Sequence, residues 1–152
     1  MTIRNDAERE GMTAVGRLVG EALRRMAAAV EPGVTTAALD EVGAAFLCGQ
    51  GAESAPQAIY SFPGFCCISV NDEVVHGVPG PRRLAAGDLV KLDVTARLDG
   101  YIADAAVTVP VGEVSAEHQA LCDAAHAAFV RALPHVRPVS YTHLTLPTNS
   151  RV

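Results

Sequence analysis

The dipeptide Asp99-Gly100 sits between two strand-like runs, residues 88–98 and 101–111, and constrains this chain more than any other feature. A two-residue hairpin loop of type I′ needs positive φ at both central positions. Aspartate tolerates that conformation and glycine prefers it, so the pair predicts a β-hairpin. Centring the turn on it sets the register: Thr95 lies opposite Asp104, and Asp93 opposite Ala106. Side chains alternate faces along a strand, so Asp93 and Asp104 share a face as diagonal neighbours, on the order of 5–8 Å apart. Two carboxylates that close, within an apolar hairpin, repel each other and resist burial. Two readings stay open. Lys91 and Arg97 fall on the same face and could neutralise the acids. Alternatively, hard oxygen ligands on rigid strands suit one or two divalent cations. The apolar setting of Asp93, within residues 89–94, favours a cation, because a buried strand otherwise excludes an acid.

The segments before the hairpin read as helical, then irregular. Met12, Val15, Val19, Leu23 and Met26 recur at steps of three and four, predicting an amphipathic helix over residues 6–30 that stops at Glu31-Pro32-Gly33. Thr35 or Thr36 can cap a second helix to about Cys48, with Leu39, Val42, Phe46 and Leu47 as its apolar stripe. Residues 54–81 are broken by prolines and glycines and read as loop with short strands. Ser115 can cap a third, alanine-rich helix reaching about Leu133.

Composition narrows the class. A chain of 152 residues that is 49% hydrophobic can bury one domain core. A net charge of −5 without a long charged run argues against nucleic-acid or anionic-membrane partners. The polar, acid-bearing N-terminus is neither signal nor transit peptide, and no apolar run is long enough to span a membrane, so the expected location is the cytoplasm. Cys48, Cys66, Cys67 and Cys122 have no zinc-ligand spacing and read as free thiols of a reducing compartment. Taken alone, His76 is a loop histidine before Gly77, and Cys67 a small buried hydrophobe. His118, His126, His135 and His143 read as surface or helix residues.

Two stretches carry a resemblance. Residues 62–79, FPGFCCISVNDEVVHGVP, are similar to the substrate-pocket segment of type I methionine aminopeptidases. Residues 87–95, GDLVKLDVT, with residues 99–104, DGYIAD, resemble that family's first metal-binding hairpin. The spacing of His76, Asp93 and Asp104 also fits, and the resemblance runs over approximately residues 6–137. It implies an α+β chain forming the N-terminal half of a pita-bread fold, two similar halves around a dinuclear centre. The implied reaction is metal-dependent hydrolytic removal of the initiator methionine from nascent polypeptides. Asp93 would ligate one metal and Asp104 would bridge both. His76 would hydrogen-bond the substrate, and Cys67 and Phe62 would line the methionine pocket. The implied cofactors are two divalent ions, with cobalt, manganese, iron, zinc and magnesium all compatible. Nascent polypeptide N-termini are the implied partner, ribosome association is compatible with the resemblance, and the complete enzyme is expected to be a monomer. Ala105-Ala106 replaces the family's usual small polar pair, and Tyr60-Ser-Phe-Pro replaces its Tyr-x-Gly-Phe-Pro.

The family's remaining ligands, a histidine and two glutamates from the second half, are not in this chain, so the fragment is expected to be inactive alone. The two rival readings are a pita-bread peptidase that cleaves before proline and a non-catalytic pita-bread peptide-binding protein. Residues 138–152 stand apart, with no amphipathic period. Residues 139–148, VSYTHLTLPT, are what one frame of a common transposase sequencing adapter encodes. The expected organisation is therefore an aminopeptidase segment over residues 1–137 and a non-native tail over residues 138–152.

Overall fold

A computed structural model describes residues 3–136. Helix α1, Asp6–Ala28, begins where the Asn5 side chain accepts the Glu8 N–H at 2.8 Å, with Asp6 and Glu8 near the positive end of the helix dipole. Its buried stripe is Val15, Val19, Ala22, Leu23 and Met26, close to the sequence expectation. Helix α2, Thr36–Gly49, is capped by Thr35, whose hydroxyl accepts the Ala38 N–H. Arg25 of α1 stacks over the Phe46 ring of α2, 4.3 Å from its centroid.

The segment expected to be loop and short strands holds more order. Strand β1, Glu53–Ser54, leads directly into a short helix α3, Ala55–Tyr60, and strand β2 is Cys67–Val70. Helix α3 was missed because Pro56 reads as a breaker, whereas in a helix's first turn proline costs no hydrogen bond. The hairpin follows, with β3 at Leu89–Leu98 and β4 at Tyr101–Pro110. Its register is the expected one, Thr95 opposite Asp104 and Asp93 opposite Ala106. Asp99 and Gly100 take φ of 51° and 84°, as a type I′ turn requires.

Strand β3 is central and every pairing is antiparallel. It meets β4 along its full length on one edge, and β2 and β1 in succession on the other. Alternation then sorts its side chains. Val90, Leu92, Val94 and Ala96 are buried with Ile68 and Val70 of β2 and the apolar stripes of α1 and α2. Lys91, Asp93, Thr95 and Arg97 lie on the opposite face. Leu92 is wholly buried at the middle of this central strand. Leu92→Ala is expected to lower stability by ~3 kcal/mol, through lost transfer energy and an unfilled cavity, measured by chemical denaturation.

This description covers the unit ending at Ser115; a second compact unit begins at Ala116. It contains helix α4, Ala116–Ala132, and a 3-10 turn over Leu133–His135, matching the third expected helix. The tail from Pro138 to Val152, with His143, lies outside the described residues.

Candidate active site

On the β3 face away from the core, a cleft of about 470 Å³ opens beside helix α3. Its walls include Pro56, Ile59 and Tyr60 of α3, Phe62, Cys67 of β2, Ile102 of β4, and the polar groups His76, Asp93, Thr95 and Asp104. All five residues singled out from the sequence thus line one cavity. Sheet geometry explains most of this. Cys67 pairs with Asp93 and Thr95 with Asp104, and directly paired residues present their side chains to the same face. The cavity combines apolar lining residues with the two carboxylates.

The Asp93 carboxyl is held above the usual aspartate range. Partial burial is the main cause, followed by the charge of Asp104 and a hydrogen bond shared with its carboxyl; Lys91 and His76 offset part of the effect. The register makes the two acids diagonal neighbours on one face of the hairpin. Neither has a salt-bridge partner among the described residues. Lys91 donates to the Val74 carbonyl oxygen, and Arg97 pairs with Glu53 at 2.7 Å. The salt-bridge reading of the pair is therefore not what the fold adopts.

This arrangement suits a hard dication. Oxygen donors are adjacent and rigidly mounted, and the repulsion that raises the Asp93 pKa would be relieved by positive charge. The donor set is incomplete, because no group of three or more His, Cys, Asp or Glu side chains among the described residues is arranged to hold an ion. Burial, then the charges of Asp93 and Asp104, push the Cys67 thiol pKa up.

His76 sits on a loop fastened to β2 and β3. Gly77 donates to Ser69 Oγ and its carbonyl oxygen accepts from Ile68, so the loop continues the pairing of β2. Glu73 accepts from the Val70 N–H and pairs with Arg82. His76 has φ of 57°, a left-handed conformation that a non-glycine residue holds only when its surroundings impose it. Sequence reasoning missed Ala55, Pro56, Ile59, Tyr60, Thr95 and Ile102 as lining residues. The hairpin parity that located Asp104 also places Thr95 and Ile102 on the cleft face, so two of the six were accessible to the same argument.

Comparisons with known proteins place the chain in a family. The profile described as Metallopeptidase family M24 matches residues 10–144, and the chain belongs to that family. Membership of a metallopeptidase family implies divalent metal ions. The chain is 42% identical over 138 residues to methionine aminopeptidase 2 of Bacillus subtilis (strain 168), covering 90% of this chain and 55% of that protein. Among solved structures, methionine aminopeptidase from Thermotoga maritima superposes with a TM-score of 0.86 at 29% identity, over 91% of this chain and 56% of that one. The Rickettsia prowazekii methionine aminopeptidase gives 0.81 at 32% identity, over 87% and 53%. The α+β arrangement is that of the pita-bread aminopeptidases over about half of their length. The chain spans about half the length of the curated relatives it matches.

Proposed function

We propose that this chain contributes the N-terminal half of a methionine aminopeptidase, which removes the initiator methionine hydrolytically from nascent polypeptides. The observation that carries this reading is the Asp93–Asp104 pair, which lines the cleft and has no salt bridge among the described residues. Asp93 and Asp104 are the metal ligands of this half. Two divalent ions held there would polarise the scissile carbonyl and acidify the attacking water. His76 hydrogen-bonds the substrate beside the scissile peptide. Phe62 and Cys67 help to wall the cleft and receive the methionine side chain, Cys67 adding volume and polarisability as a small buried thiol. The rigid hairpin keeps the carboxylates in place without reorganisation when substrate arrives.

The complete reading frame containing residues 1–137 is expected to release methionine from Met-Ala-Ser in the presence of manganese or cobalt. The 152-residue chain alone is expected to release none, because two aspartates leave most coordination positions to water. A peptide panel read by mass spectrometry checks both. Cleavage before proline in place of methionine release, or no cleavage by the complete protein, would overturn the reading.

The proposed setting is the cytoplasm, as a monomer acting on polypeptides as they emerge from the ribosome. Four free cysteines suit a reducing compartment, and no described helix is long and apolar enough to cross a membrane. Residues 138–152 are read as adapter-encoded. A DNA read across codon 137 from an adapter-free library tests this, and recovery of the same codons would refute it.

A further inference from the structure

The apolar cleft has two walls from different elements. Helix α3 supplies Pro56, Ile59 and Tyr60, and the segment entering β2 supplies Phe62 and Cys67. Both walls are keyed to the hydroxyl of Ser54, which is only 3% exposed. Ser54 Oγ donates to the Phe65 carbonyl oxygen at 2.7 Å and accepts the Gln57 N–H at 3.2 Å, capping α3. Asp40 of α2 grips the same segment through its N–H groups. Its carboxylate accepts from Phe65 at 2.9 Å and from Cys66 at 2.7 Å. Phe65 is thus held at both its carbonyl and its N–H, midway between the two residues that form one wall. Neither Ser54 nor Asp40 lines the cleft itself.

We infer that Ser54 and Asp40 are positioning residues that set the spacing between helix α3 and the Phe62–Cys67 wall, and with it which side chain the cleft accepts. The inference rests on the aminopeptidase reading and names the residues that tune its selectivity. Pocket discrimination between side chains differing by a methylene or a branch point is small, about 10–200-fold, so modest wall movement erodes it. Without the Ser54 hydroxyl, α3 loses its cap and the buried Phe65 carbonyl loses its donor. The two walls then relax independently, and a branched side chain fits nearly as well as methionine.

The test compares the complete wild-type protein with Ser54→Ala, Ser54→Thr and Asp40→Asn on peptides differing only in their first residue: methionine, norleucine or leucine. Ser54→Ala is expected to raise KM for the methionine peptide about tenfold with a smaller change in kcat, and to reduce the methionine-to-leucine ratio of kcat/KM by about tenfold. Metal stoichiometry stays at the wild-type value. Ser54→Thr, which keeps the hydroxyl, recovers most of the ratio. Should Ser54→Ala not fold, Asp40→Asn carries the same readout, since it leaves an amide N–H facing a backbone N–H. A lowered kcat with KM and the ratio unchanged would mean a purely structural role and overturn the inference. A wild type that binds metal but releases no methionine would overturn the aminopeptidase reading, and this inference with it.

Discussion

In the complete protein, Asp104→Ala is expected to lower kcat for methionine release on the order of a thousandfold and to reduce bound metal per chain. The same change should not destabilise the metal-free fold. Asp104 is exposed, on the cleft face of β4, and has no salt-bridge partner among the described residues. Its main electrostatic effect is unfavourable, because its charge helps to push the Asp93 pKa up. An acid whose pKa is raised on folding opposes stability once the pH exceeds its folded pKa, and that opposition vanishes below its unfolded value. In chelator at pH 7 the variant should therefore melt at or above the wild-type temperature, with the gap closing as the pH falls below about 4. With added manganese the order should reverse, since only the wild type gains a ligand-dependent rise in Tm. Normal turnover by the variant, or an equal metal-induced shift in both proteins, would sink the assignment of Asp104.

Gly77→Ala is expected to cost activity through His76 without touching a metal ligand. A Cβ at residue 77 would lie 2.2 Å from the Ile68 carbonyl oxygen and 2.9 Å from Glu73 Oε2. The first of these is backbone in β2 and cannot rotate away. Relief requires the loop to lift, breaking the Ile68 N–H to Gly77 carbonyl bond and the Gly77 N–H to Ser69 bond. His76, already in a left-handed conformation, moves with it. The expected result is a loss of ~2 kcal/mol in stability, as for other overpacked sites. Because a small misplacement of a substrate-contacting group is costly, kcat/KM should fall about a hundredfold. Metal stoichiometry should be unchanged, which separates this variant from Asp104→Ala. Calorimetry, metal analysis and steady-state kinetics on one preparation would check all three. A variant with wild-type kcat/KM would show that the loop position is not what places His76.

Much of the site was legible because it rests on local rules. Asp99-Gly100 permits one tight turn, and the side-chain period of two then places Asp93 and Asp104 on a common face whatever surrounds them. The helices declared themselves through apolar spacing and through Thr35 as a cap. His76, Cys67 and Phe62 were reached through motif resemblance, and they converge on the cleft that the hairpin defines.

What the sequence by itself determined about this protein was therefore the hairpin register, the two N-terminal helices and the pairing of the carboxylates, all consequences of interactions a few residues long. Tertiary structure decided the rest. The fate of Lys91 and Arg97 could not be read locally, since both share the face of the acids; Val74 and Glu53, 17 and 44 residues away, draw them off and leave the acids without a salt bridge among the described residues. Helix α3 forms in a proline-containing segment because Ser54 caps it and the cleft face of β3 gives it something to pack against. Asp40 acquires its role only when α2 brings it against backbone groups 25 and 26 residues further on. Periodicity and turn chemistry act along the chain; which distant polar group satisfies which is settled only when the core closes and each buried donor must find an acceptor.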